Sequence, residues 1–147
     1  MQDIASTVLQ AMDKAGFVQV EVSAKHVHLS VADMEKLFGA GVTMAPKRAL
    51  SQPGQFLSEQ RVSLIGHNGT KFSNIALLGP ARAHTQVELS KSDCFALGVT
   101  APIRDSGDLA DSGQITIEGP KGSIVAQSCV IIAKRHIHVP PAIAAEH

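Results

Sequence analysis

Four histidines fall into two His-x-His pairs, His26-Val27-His28 and His136-Ile137-His138, and a basic residue, Lys25 or Arg135, directly precedes each pair. Each pair also follows a run of β-formers, Val18 to Val22 and Val130 to Ile132. Alternate side chains of a strand share a face, so each pair presents two imidazoles side by side. Neutral imidazole is a good ligand for zinc or a similar first-row ion, and two of them supply half of a tetrahedral shell. A lone His-x-His is more often a hydrogen-bonded surface pair. Its return with a basic residue at the same offset favours a metal site.

Other residue types extend that chemistry. Glu88, in Gln86-Val87-Glu88-Leu89, alternates along a strand and is a candidate carboxylate ligand, the alternative being a solvent-facing glutamate. Arg82 follows a Gly79-Pro80 break, and Arg104 sits in Pro102-Ile103-Arg104-Asp105-Ser106-Gly107-Asp108. A guanidinium in a stiff loop suits bidentate recognition of phosphate, although Arg104 could equally pair with Asp105 or Asp108. Metal plus arginine implies work on a phosphate or a carbonyl, with the metal as Lewis acid and arginine holding an oxyanion. This defines a style of reaction and no substrate.

The elements that must hold these residues follow from composition and pattern. With 147 residues and 44% hydrophobic content the chain can build a real core, and five Phe with no Trp or Tyr leave Val, Ile, Leu and Ala to fill it. Thirteen basic residues balance thirteen acidic ones, which argues against a broad nucleic-acid or acidic-membrane surface. No apolar run approaches the roughly 18 residues of a membrane span. Cys94 and Cys129 form no C-x-x-C, and without a signal peptide they read as reduced thiols of a cytoplasmic protein.

Residues 2 to 15 place Ile4, Ala5, Val8, Leu9 and Met12 on one side of a helix that Gly16 ends, a face either packed on the body or offered to a partner. Ser30 with Asp33, and Ser90 with Asp93, are capping signals for two short helices stopped near Gly39 and Gly98. Val62 to Gly66 and Ser73 to Leu78 form a hairpin about Asn68-Gly69. Ile115 to Gly119 and Ser123 to Ala126 repeat it about Pro120-Lys121-Gly122. The hairpins align at an offset of 53, Gly66 onto Gly119, which carries Arg82 onto Arg135. Short strands, tight turns and brief capped helices predict a mainly β fold built on small antiparallel β-barrels.

Six segments, in order and with matching spacing, resemble the PduL-type phosphate propanoyltransferases, the phosphotransacylases associated with bacterial microcompartments. They are Lys25 to Ser30, Leu50 to Phe56, Leu78 to Arg82, Thr85 to Glu88, Arg104 to Asp108 and Ala133 to His138. The resemblance implies two β-barrels capped by short helices, with a dinuclear zinc site between them. It also implies transfer of a short acyl group, propanoyl or acetyl, between coenzyme A and phosphate. By position it makes His26, His28, Glu88, His136 and His138 metal ligands and Arg82 the phosphate-binding catalytic residue. Lys25, Lys47, Arg48 and Arg135, with Ser106, become candidate contacts for coenzyme A, the alternative for the basic residues being solvated surface side chains.

Measured against that family, 25–132 corresponds to a nearly whole barrel, while 18–24 and 133–147 are a remnant of the other. The family continues through strands that complete that barrel and through a further histidine ligand. Unpaired strand edges then predict either association with another chain, a homo-oligomer, or a partly mobile N-terminal helix. Residues 2 to 15 are similar in kind to the family's N-terminal encapsulation peptides, which implies microcompartment shell or core partners and the compartment lumen as location. Two other readings compete: a catalytically silent barrel that binds coenzyme A or such partners, and a cupin-like metalloenzyme. The cupin motif expects a glutamate soon after the second histidine, where this chain has Leu29, Ser30, Val31 and Ala32.

Overall fold

The computed structural model describes residues 3–17 and 24–138. The strand expected from Val18 to Val22 and the tail from 139 onward lie outside the described residues, so of the two segments expected to form the remnant of another barrel only Ala24 and 133–138 are described. Helix α1 spans Ile4–Lys14, as the apolar spacing predicts, and its Ile4, Val8, Leu9 and Met12 are all exposed. Among the described residues no helix is long and apolar enough to cross a membrane.

From His26 the chain runs β1 (His26–His28), α2 (Val31–Phe38), β2 (Pro46–Ala49), β3 (Phe56–Ile65), β4 (Lys71–Gly79), β5 (Gln86–Glu88), α3 (Lys91–Leu97), β6 (Ile103–Arg104), β7 (Gly113–Glu118) and β8 (Ser123–Ala133). Both capping signals hold. Ser30 Oγ accepts from Asp33 N–H at 3.1 Å, and Ser90 forms the full reciprocal box with Asp93. The predicted hairpins are β3–β4 and β7–β8, closed by Gly66 N–H to Thr70 O at 2.9 Å and Gly119 N–H to Gly122 O at 2.8 Å.

The strands β3, β4, β1, β5, β8 and β7 pair in a ring, with β7 returning to β3, so the barrel is closed. Strands β2 and β6 lie outside the ring, on β3 and β8. The expected mainly β barrel is present and its pairing is mixed: β1 with β4, β5 with β8 and β6 with β8 run parallel. Parallel partners need a long connection between them, and α2, β2 and β3 provide it between β1 and β4.

An internal two-fold repeat explains the ring. His26-Val27-His28-Leu29-Ser30 matches Gln86-Val87-Glu88-Leu89-Ser90 at an offset of 60, beside the hairpin offset of 53. Val27 pairs with its own counterpart Val87, and Leu64 with its counterpart Ile117. The parallel contacts repeat as well, Val27 with Leu77 and Val87 with Val130. All six side chains are buried in one core. Each hairpin turn holds the end of a capping helix: Lys121 N–H donates to Leu37 O at 3.0 Å, and Asn68 Nδ2 to Ala96 O at 2.9 Å. Only glycine fits at the equivalent Gly66 and Gly119, where a Cβ would strike the carbonyls of Leu97 and Leu37.

Candidate metal centre

The register of β1 on β5 builds the site. His26 faces Glu88, Val27 faces Val87 and His28 faces Gln86. Directly opposed residues of an antiparallel pair share a face, so the two valines enter the core and the four polar side chains form a rectangle on the other side. That side is also covered, since His26, His28 and Gln86 are 8%, 3% and 1% exposed. Glu88, the candidate carboxylate, is half-buried there rather than solvent-facing.

One donor atom from each of His26, His28 and Glu88 lies within 4.8 Å of the others. His26 Nδ1–H donates to Ala24 O at 2.9 Å, which leaves Nε2 directed at Glu88 Oε2, 3.5 Å away. A carbonyl that fixes the tautomer in this way is the usual support of a metal-binding histidine. His28 Nδ1 is buried near the Leu78 backbone and makes no well-formed hydrogen bond. Two imidazoles and one carboxylate suit zinc, and three protein ligands would keep a position open for substrate. The residues therefore fit the implied metal.

Charge in the cluster agrees with that fit. Burial, followed by the positive charges of Arg82 and His26, pushes His28 down to about 3, so it is a neutral imidazole at physiological pH. Burial alone would raise Glu88, but its hydrogen bond with His26 and the charges of the two histidines hold it at about 2. Burial would likewise lower His26, and the hydrogen bonds with Glu88 and the Ala24 carbonyl raise it instead. His26 and Glu88 thus make an acid–base pair in which a cation can replace a proton.

Arg82 stands beside this cluster. Its backbone N–H donates to Leu29 O at 2.9 Å, which fixes the loop after β4 against the end of β1. The half-buried guanidinium donates from Nη1 to Ser106 Oγ at 3.3 Å. Gln86 Nε2 donates to both Ser106 Oγ, at 2.9 Å, and Glu88 Oε1, at 2.6 Å. Gln86 received no role from the sequence, because an amide leaves no pattern of its own and its place opposite His28 depends on strand register.

The second fork has the same local form. His136 Nδ1–H donates to Lys134 O at 2.6 Å, as His26 does to the carbonyl two residues before it. In each fork the rings meet edge to face, with centroids 4.6 Å apart in the second and 5.2 Å in the first. Residues 134–138 are exposed and are not in a strand, since the pairing of β8 with β6 ends at Lys134 N–H to Arg104 O. Neither His136 nor His138 joins the cluster of His26, His28 and Glu88.

The remaining candidates are spread over the surface. Lys25 pairs with Asp93 at 3.0 Å and lies 5.3 Å from the Phe72 ring centre, while Lys47, Arg48 and Arg135 are exposed. Arg104 pairs with Asp108 at 2.9 Å, the structural alternative weighed for it. Both cysteines are buried, and burial pushes the Cys129 thiol up to about 12.

A closed mixed barrel thus carries two histidines and a carboxylate that could hold a metal ion, beside an arginine fixed by its loop. Residues 19–147 match the family described as phosphate propanoyltransferase. Among the relatives that carry that name, one from Thermotoga maritima is 48% identical over 91% of this chain and 63% of its own length. One from Rhodopseudomonas palustris is 50% identical over 88% and 57%, and one from Clostridioides difficile 42% identical over 96% and 67%. The chain spans 57% to 67% of the length of these relatives. It belongs to the phosphate propanoyltransferase family.

Proposed function

We propose that the protein is a zinc-dependent phosphotransacylase that interconverts a short-chain acyl-coenzyme A and phosphate with acyl phosphate and coenzyme A, propanoyl or acetyl being the group transferred. The observation that carries this reading is the buried cluster of His26, His28 and Glu88 with Arg82 fixed beside it. The relatives' name, phosphate propanoyltransferase, supports it.

His26, His28 and Glu88 would hold one ion. His136 and His138, whose Nε2 atoms converge at 2.9 Å, would contribute to a second. Bound zinc supplies Lewis acidity toward a carbonyl or phosphoryl oxygen. Arg82 binds the phosphate and orients one oxygen toward the thioester, with part of its guanidinium already held by Ser106. That oxygen bonds to the acyl carbon as the carbon–sulfur bond breaks, and coenzyme A leaves as a thiolate that is then protonated. Cys94 and Cys129, both buried, need take no part. Exposed Lys47, Arg48 and Arg135 would meet the phosphates of coenzyme A. The exposed apolar face of α1 would serve as an encapsulation peptide.

Release of free thiol from propanoyl-coenzyme A by the zinc-loaded chain tests this. It should require inorganic phosphate and yield propanoyl phosphate in equal amount. Thiol release without phosphate would contradict the reaction. Coenzyme A binding without any turnover would support the silent-barrel reading instead.

A further inference from the structure

Gln86 is 1% exposed, and every hydrogen-bonding group of its amide is used. Its two Nε2 hydrogens go to Glu88 Oε1 at 2.6 Å and Ser106 Oγ at 2.9 Å, and its Oε1 accepts from Gly107 N–H at 2.8 Å. Turning the amide over would set oxygen against carboxylate and N–H against N–H, so the orientation is determined by its partners. Ser106 Oγ is saturated as well: it accepts from Gln86 and from Arg82 Nη1, and it donates to Glu88 Oε1 at 3.4 Å. The carboxylate is thereby divided. Oε1 serves Gln86 and Ser106, while Oε2 is left facing His26.

We propose that Gln86 is a positioning residue that presents a single Glu88 oxygen to the metal and, through Ser106, fixes Arg82 relative to it. The inference rests on the metal reading of His26, His28 and Glu88 and adds to it why the fourth corner of the rectangle is an amide. A histidine or carboxylate there would offer a fourth ligand and close the site, whereas glutamine holds the third ligand and leaves the open position. Gly107 has a φ of +93°, a conformation suited to glycine, and its N–H anchors the loop that presents Ser106.

Gln86→Met keeps the length and removes the hydrogen bonds. Zinc affinity by competition with a chelator should fall about 10- to 100-fold, and the visible absorption of the cobalt-loaded chain should change. Ser106→Ala, at an exposed position, removes the partner of Arg82 Nη1 and should weaken binding of inorganic phosphate in calorimetry. Gln86→Met should weaken phosphate binding too, because Ser106 then loses the Gln86 N–H that holds it, and in the double variant the two phosphate losses should fail to multiply, as expected of one connected path. Zinc affinity and cobalt spectrum unchanged in Gln86→Met would overturn the proposal, as would unchanged phosphate affinity in Ser106→Ala. An unsubstituted chain that binds no zinc would overturn the metal reading and this inference with it.

Discussion

Arg82 and Glu88 carry opposite charges on one small face, and their neighbours decide what each can do. Burial lowers the pKa of Arg82 and the charge of Glu88 opposes that shift, so the guanidinium stays a cation beside the cluster. Arg82→Lys keeps the charge and loses the planar fork that can bind Ser106 and an anion together. The phosphate KM should rise about tenfold, a loss of roughly 1.4 kcal/mol, with zinc content unchanged. Kinetics at varied phosphate, with metal analysis on the same samples, would check this, and an unchanged KM would remove Arg82 from the phosphate site. His26 and His28 were legible in the sequence because strand alternation alone puts them on one face. Whether Glu88 faced them was not, because that depends on which strand pairs with β1 and in what register.

At the scale of elements, the caps of α2 and α3 link secondary structure to pH. Burial opposes the shift in Asp93, yet bonds from Ser90 and Lys25 hold its carboxyl below the ordinary aspartate range. Asp33 is lowered in the same way by Thr85, Lys36 and Ser30. A depressed carboxylate pKa means stability that is complete above the unfolded value, about 3.9, and lost as pH falls through the folded one. Asp93→Asn should therefore lose less stability than the unsubstituted chain between about pH 5 and 3. Urea unfolding across that range would show it, and parallel pH profiles would contradict it. These helices and both hairpins were readable from local signals, Ser-x-x-Asp, Asn-Gly and Pro-x-Gly. Strands β2 and β6 were not, being short, exposed for most of their residues, and defined only by the neighbours that pair with them.

In the whole molecule, the two-fold repeat brings β1 and β5 together at its axis and places the candidate site there. The halves diverge where chemistry is needed: His26 and His28 in one correspond to Gln86 and Glu88 in the other. The hairpin repeat was visible in the spacing of the glycines. The repeat of 26–30 onto 86–90 is equally present in the sequence, but the changes at the site disguise it. That His136 and His138 stand apart from the cluster of His26, His28 and Glu88 could not be read from sequence either, because the two forks have the same local pattern. The central claim, a metal held by His26, His28 and Glu88, is tested most directly by zinc-edge X-ray absorption on the purified chain, with His28→Ala alongside. The prediction is stoichiometric zinc with nitrogen and oxygen ligands at about 2.0–2.2 Å, lost from the first site in His28→Ala. A folded chain that holds no stoichiometric zinc, or a His28→Ala chain whose zinc content and ligand signal are unchanged, would contradict it.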